Sequence, residues 1–230
     1  MSAGRWLWHR RLRIGAAPID LYVVANSLRS RLGLAPSLRP RDRARVRRLR
    51  RPDQRRAALI GSGLLRHALR ARFRRPLPAG ALEQRTQRRP RHRSLNAHRR
   101  AVLTLSHSAH WVAVAITQGH QRRIGIDIED CDRRIDAGVA RKLPWPDAER
   151  AGTRSRLLMQ WCCAEAALKA DGRGLPALDR LIAQSATRLS FTDRAEGALM
   201  LRRLEGLPRG CVGAIAVGRR QPRTQVRTSR

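Results

Sequence analysis

Two short apolar segments with a similar pattern constrain the fold of this chain more than any other feature. WVAVAIT occupies residues 111–117, and CVGAIAVG occupies residues 211–218. Each is a run of small and β-branched residues, which favour strands of a pleated sheet. Because the second segment resembles the first, the pattern predicts two related halves that meet near residue 120.

The remaining periodicity predicts alternating blocks of helix and strand. Residues 124, 126 and 128 are isoleucines that alternate with Gly125, Asp127 and Glu129, as expected of a strand with two different faces. Further strands are predicted in a strand-rich segment at 5–25, most clearly at 21–24, and at 101–106, 111–117 and 189–218. Helices are predicted at 41–50, from residue 53 onward and at 153–171. A loop is predicted at 74–100. The expected domains are an N-terminal half (1–119), a C-terminal half (120–218) and a disordered basic tail (219–230).

The charge of the chain predicts anionic partners. The formal net charge is +33, and all but two of the 50 basic residues are arginine. A field of this sign attracts acidic proteins and nucleic acids alike. Tyr and Phe together number only three, however, so base-stacking surfaces are poorly supplied and no nucleic-acid partner is expected. The four cysteines lack zinc-type spacing, which predicts reduced, buried thiols. No apolar run is long enough for a membrane span, so a cytoplasmic protein without a membrane partner is expected.

Four of the 17 acidic residues lie within six positions, at Asp127, Glu129, Asp130 and Asp132. On an extended strand, Asp127 and Glu129 point to the same face, and two adjacent like charges favour a bound cation. Magnesium prefers such carboxylate oxygens together with phosphate and water. The alternative is a solvated strand end whose carboxylates pair with some of the arginines.

A second candidate group lies on the predicted helix at 153–171. Trp161, Glu165 and Lys169 are spaced four residues apart and therefore share one stripe of the helix. An ordinary Glu–Lys pair on a solvated face is the alternative. The tryptophan and the rarity of lysine in this chain favour a functional stripe, because a lysine ammonium can neutralise a phosphate.

These motifs together resemble the surfactin-type 4'-phosphopantetheinyl transferases. The similarity rests on G-I-D-I-E at 125–129, W-x-x-x-E-A-x-x-K-A-x-G-x-G-L at 161–175 and L-S-H-S at 105–108, with an arginine-dense region at 41–70. It spans roughly residues 34–217. The resemblance implies an α/β (α+β) fold of two similar, pseudo-twofold-related halves, each a small, mostly antiparallel sheet packed by helices. The active site would lie where the halves meet.

The resemblance also implies roles for individual residues. Asp127, Glu129 and Glu165 would bind Mg²⁺, and Glu165 would also act on the proton of the attacking serine. Lys169 would contact the leaving phosphate. Coenzyme A, the substrate, would be bound by Lys169 together with Arg56, Ser106 and His107.

The implied activity is that of a holo-[acyl-carrier-protein] synthase. It would transfer 4'-phosphopantetheine from coenzyme A to a serine of an acidic acyl or peptidyl carrier protein and release adenosine 3',5'-bisphosphate. A monomer is expected. Ala164 departs from the family pattern, which has lysine immediately before the helix glutamate, and this puts full activity in doubt. The alternatives are a basic nucleic-acid-binding protein and a coenzyme A-binding homologue without turnover.

Overall fold

The chain forms two antiparallel sheets with helices packed on their outer faces. The computed structural model describes residues 7–38, 40–73, 82–83, 91–92, 101–118, 122–145, 153–193 and 197–219. The strands among these residues are β1 (Leu7–Ile14), β2 (Ala17–Ala25), β3 (Leu82–Glu83), β4 (Arg91–His92), β5 (Ala101–His107), β6 (Trp111–Gln118), β7 (Arg122–Asp130), β8 (Leu181–Ser185), β9 (Arg188–Phe191), β10 (Leu199–Arg203) and β11 (Cys211–Arg219). The helices are α1 (Leu28–Leu34), α2 (Pro40–Arg47), α3 (Pro52–Phe73), α4 (Ala137–Ala140) and α5 (Arg154–Asp171), with 3₁₀ turns at Ala35–Ser37 and Leu175–Arg180.

Every strand pair recorded in the two sheets is antiparallel. The first sheet has the order β1-β2-β6-β5-β4-β3, in which β3 and β4 are two residues long, and the second has the order β7-β11-β10-β9-β8. This arrangement confirms the predicted fold class, since α and β elements form two mostly antiparallel sheets packed by helices.

The elements form four layers in the order α3, first sheet, second sheet and α5, and an apolar core lies between each two neighbouring layers. Helix α3 packs on the outer face of the first sheet, for example through Ile60 and Leu64. The inner faces of the two sheets pack against each other, with Leu21 and Ile126 buried between them. Helix α5 covers the outer face of the second sheet. The central strands β2, β6 and β11 therefore bury residues on both sides, as expected where a sheet is covered on both faces.

The predicted elements are largely confirmed. Helix α5 begins after Thr153, whose hydroxyl accepts a hydrogen bond from the Arg156 amide, and ends at Gly172, where φ is +81°. The helix predicted from residue 53 begins at Pro52, and the helix predicted at 41–50 is the shorter α2. The strand β8 was not predicted. The segment 74–100, predicted as a loop, contains the short strands β3 and β4, and its other residues lie outside the described part, as do residues 220–230 of the predicted tail.

Two further expectations concern thiols and membranes. All four cysteines are free, and three of them are buried, but Cys131 is exposed, so the prediction of four buried thiols was wrong. Cys131 follows the last residue of β7 and lies in a turn, where its side chain has no apolar layer to enter. In the part of the chain that the structure describes, no helix has the length and apolar character needed to cross a bilayer.

Candidate metal centre

Strand β7 places two carboxylates on the side of the second sheet that faces α5. Ile124, Ile126 and Ile128 point into the core between the sheets, so the alternate residues Asp127 and Glu129 point the other way. Asp127 is 1% exposed and Glu129 is 3% exposed. The alternation read from the sequence therefore brings two acidic side chains into a largely desolvated space.

Helix α5 brings the other charged residues to the same space. Glu165 and Lys169 lie one turn apart on α5, and Trp161 lies one turn earlier. The close approach depends on Gly125 in β7, because a Cβ atom there would overlap the carbonyl oxygen of Ala166 and the amide nitrogen of Ala170. A glycine at this position lets the helix backbone pack directly on the strand.

Asp127, Glu129 and Glu165 form a group that could bind a metal ion. Each offers one carboxylate oxygen, and these oxygens all lie within 4.8 Å of one another. The Oδ2 atom of Asp127 is buried and has no hydrogen-bond partner among the residues that the structure describes. A buried carboxylate oxygen without a partner is unfavourable unless a cation or donor satisfies it. Three hard oxygen ligands with this geometry fit a divalent ion such as Mg²⁺.

Lys169 supplies a positive charge to the same carboxylates. Its ammonium nitrogen Nζ lies 2.6 Å from Asp127 Oδ1, 3.2 Å from Glu165 Oε1 and 2.9 Å from Ser106 Oγ. Burial by itself would lower the pKa of Lys169, but the negative charges of Asp127 and Glu165 outweigh it, so the pKa lies above its ordinary value. Lys169 is thus held as a cation among the acidic residues.

The environment of Asp127 also raises its pKa, which for a carboxyl group favours the neutral form. Burial has the largest effect, the charges of Glu165 and Glu129 act in the same direction, and Lys169 opposes them; together they raise the pKa of Asp127 to about 7. The carboxylate group is consequently much harder to ionise than an exposed aspartate. A bound divalent cation would favour the ionised form.

Glu129 is held by two residues that the motifs did not identify as its partners. The indole nitrogen of Trp161 donates a hydrogen bond to Glu129 Oε1 over 3.3 Å, and the Arg133 guanidinium also pairs with Oε1. Arg133 lies over the Trp161 ring, 5.5 Å from its centroid. The hydrogen bond that Arg133 donates to the Glu129 carboxylate raises the pKa of Arg133. Arg133 was missed because nothing in the sequence separates it from the other arginines.

Ser106 lies inside the acidic group. It is 2% exposed, and its hydroxyl donates to Asp127 Oδ1 over 2.8 Å while accepting from Lys169 and from the Ile128 amide. All the bonds that a hydroxyl can make are therefore used within the protein. The sequence predicted Ser106 as a coenzyme A contact, whereas the structure places it as a support for Asp127.

His107 and Arg56, also predicted to bind coenzyme A, lie outside the acidic group. His107 is exposed at the end of β5, and its pKa is lowered by partial desolvation and by the charge of Lys169. Arg56 is exposed near the start of α3 and donates to Asn26 Oδ1 over 3.2 Å. His107 is thus within electrostatic reach of Lys169, while the recorded partner of Arg56 is Asn26.

Asp130 and Asp132, which belong to the acidic cluster in the sequence, lie outside the group formed by Asp127, Glu129 and Glu165. The Asp130 carboxylate accepts hydrogen bonds from the Ser108 hydroxyl and the Ala109 amide, so it fixes the turn between β5 and β6. Asp132 is exposed. The alternative of a solvated strand end paired with arginines therefore does not describe Asp130, and it describes Glu129 only in its pairing with Arg133, since Glu129 is buried.

Comparison with known proteins adds no further likeness. No protein-family model and no curated protein matches this chain. The interpretation of the centre therefore rests on its geometry and on the motifs.

Ala164, which departs from the motif, packs in the core between α5 and the second sheet. It is fully buried and belongs to the apolar cluster that includes Leu168 and Ala216. The Ala164 side chain therefore contributes to this core. A lysine there would have to place its ammonium group in an apolar layer.

Proposed function

We propose that this chain is a Mg²⁺-dependent 4'-phosphopantetheinyl transferase that modifies a serine of an acidic carrier protein. The observation that carries the proposal is the group of Asp127, Glu129 and Glu165, whose oxygens lie within 4.8 Å, with Lys169 paired to two of them. Carboxylates, a metal ion and a lysine are the components that phosphoryl-type transfer requires, because it depends on positioning and on charge neutralisation.

The proposed reaction breaks one phosphoanhydride bond. The hydroxyl oxygen of the carrier serine attacks the β-phosphorus of coenzyme A and forms a phosphodiester, and the bond to the bridging oxygen breaks, so that adenosine 3',5'-bisphosphate leaves. When bound, Mg²⁺ would neutralise charge on the pyrophosphate. Asp127, Glu129 and Glu165 would hold it.

Individual residues of the chain would have separate roles in proton transfer, charge stabilisation and positioning. Glu165 is the most exposed of the three carboxylates, with 23% of its side chain accessible, so it is the one best placed to accept the serine proton. Lys169 would stabilise the negative charge on the departing phosphate. Ser106 and Trp161 hold Asp127 and Glu129 by hydrogen bonds and would therefore act as positioning residues.

Two other functions are kept as alternatives. A nucleic-acid-binding role is favoured by the net charge of +33, but it gives no reason for buried carboxylates beside a lysine. A coenzyme A-binding protein without turnover was suggested by Ala164, and the burial of this residue in the α5 core weakens that argument.

The proposal is tested by incubating the protein with coenzyme A, Mg²⁺ and an apo-acyl carrier protein and weighing the carrier by mass spectrometry. We expect the carrier to gain the mass of phosphopantetheine, and to gain none when chelator replaces Mg²⁺ or when Asp127→Asn replaces the wild type. A carrier that stays unmodified with the wild-type protein while coenzyme A binds would favour the homologue without turnover.

A further inference from the structure

Helix α1 presents two neighbouring leucines to solvent. Leu28 is 57% exposed and Leu32 is 60% exposed, and a spacing of four residues puts them side by side on the helix. A single exposed leucine is ordinary on a protein surface, but an adjacent pair on a helix of seven residues is a small apolar patch.

The opposite side of α1 is firmly attached, so the leucines are not free to turn inward. Ser30 and Leu34 are buried. Leu34 packs so closely on α3 that a Cβ atom at Gly63 would lie 2.7 Å from the Leu34 Cβ. The Ser27 hydroxyl accepts a hydrogen bond from the Ser30 amide at the start of the helix. These contacts fix which face of α1 remains outside.

The exposed face of α1 is also cationic. Arg29 and Arg31 are exposed and lie between the two leucines in sequence. The sequence has no acidic residue between positions 27 and 38 to neutralise them. A surface that is apolar and positive at the same time matches a partner with apolar side chains surrounded by carboxylates.

The position of α1 connects this face to the candidate centre. Asn26, two residues before α1, donates its backbone amide to His110 O over 2.6 Å and its side-chain amide to Ala109 O over 3.0 Å. The same turn is bonded to Asp130 at the end of β7. In the first sheet only β6 lies between β2 and β5, so the axes of β2 and β5 are roughly 10 Å apart. Helix α1 thus begins beside a turn that is bonded to the strand carrying Asp127 and Glu129.

We infer that the exposed face of α1, formed by Leu28, Arg29, Arg31 and Leu32, is the docking surface for the acidic carrier protein. This inference rests on the proposed function for the choice of partner. An acidic protein is favoured over nucleic acid because a phosphate backbone offers ion pairs to the arginines but leaves both leucines in water. The carrier protein would cover them.

Measuring the binding of the carrier protein directly tests the docking surface independently of catalysis. The dissociation constant for an acidic apo-acyl carrier protein is measured by calorimetry for the wild type, for Leu28→Ser/Leu32→Ser and for Arg29→Glu/Arg31→Glu. We expect each double variant to weaken binding by about tenfold or more. Ile182→Ser is the matched control, since Ile182 is 45% exposed on β8 of the other sheet, and it should change binding less than about twofold. Melting curves should be unchanged, because all five positions are exposed.

The outcomes separate this inference from the proposed function. Wild-type affinity in both double variants, or no carrier binding by the wild type, would overturn the docking surface. A wild type that binds the carrier through α1 but never modifies it would overturn the transferase and leave the surface in place. The affinity of each variant for a short DNA duplex is measured in parallel. If Arg29→Glu/Arg31→Glu loses DNA binding while Leu28→Ser/Leu32→Ser binds both the duplex and the carrier normally, the surface is a nucleic-acid contact and the inference is wrong.

Discussion

Asp127 has one oxygen that is bonded to Lys169 and Ser106 and another that is buried and finds no hydrogen-bond partner in the described part of the chain. Burial raises its pKa from near 4 to about 7, so between these pH values the folded protein holds a proton that the unfolded chain releases. By linkage, Asp127 makes folding less favourable as pH rises through this window.

The first prediction isolates this contribution by comparing the wild type with Asp127→Asn, whose side chain does not titrate. In the presence of chelator, the melting temperature of the wild type relative to the variant should fall as pH rises from about 4 to about 7. The measurement is a series of melting curves at several pH values. A difference that stays constant over the window would mean that the carboxyl group is not desolvated as described.

A second prediction concerns Lys169, whose ammonium is bonded to two carboxylates and a hydroxyl. Lys169→Met should lower the free energy of unfolding by about 1–3 kcal/mol, because it leaves Asp127 buried without its cation. Lys169→Arg keeps the charge but changes its shape, and should reduce carrier modification by at least about tenfold. Urea unfolding and initial modification rates test the two variants. A fully active Lys169→Arg protein would show that Lys169 is a structural partner only.

At the residue scale, the sequence predicted the main members of the centre but not their supports. Asp127 and Glu129 follow from strand alternation, and Glu165 and Lys169 follow from helical spacing, since both periods are fixed by backbone geometry. Arg133 could not be found, because its role depends on a turn that brings it to Glu129 and Trp161. Ser106 was identified through a motif, but its three internal hydrogen bonds depend on how β5 meets β7.

At the scale of elements, the contact between β7 and α5 determines where the charged side chains meet. Gly125 allows this contact, because a larger residue would overlap the helix backbone at Ala166 and Ala170. Gly125→Ala should therefore destabilise the protein by about 1–3 kcal/mol or more and separate Glu165 from Asp127. Gly197→Ala is the control, since a Cβ atom there would meet nothing within 4 Å.

The third prediction is tested by urea unfolding of both glycine variants, with calorimetric titration of Mg²⁺ into the folded proteins. We expect Gly125→Ala to weaken metal binding as well as stability, and Gly197→Ala to leave both within experimental error. Equal stability of the two variants would contradict the tight packing of α5 on β7.

The elements that sequence predicted best are those with a clear apolar period or a clear end. Helix α5 has a threonine cap and a terminal glycine, and β7 alternates regularly. The strand β8, LIAQS, was missed because three of its five residues are exposed, so it lacks the alternation that marks a half-buried strand. Its pairing with β9 is decided by the chain around it rather than by its own residues.

At the scale of the whole molecule, the net charge of +33 should govern how an acidic carrier approaches. We predict that the carrier KM rises by about tenfold between about 0.05 M and about 0.5 M salt, because screening shortens the range of the field. The KM for coenzyme A should rise less, since metal coordination would supply part of its binding. Steady-state rates at several salt concentrations test this, and a carrier KM that does not change with salt would contradict electrostatic steering.

The junction of the two sheets has a consequence for how the chain can be divided. Strand β7 is an edge strand, and its Ile126 and Ile128 amides donate to the hydroxyls of Thr104 and Ser106 on β5 of the other sheet. A fragment ending near residue 120 would keep the hydroxyls and lose the carboxylates, and the complementary fragment would expose an edge ready to pair with other chains. The second fragment would retain Asp127, Glu129, Glu165 and Lys169 but would lose Ser106, which bonds both Asp127 and the Ile128 amide, so the carboxylates would lose part of their support.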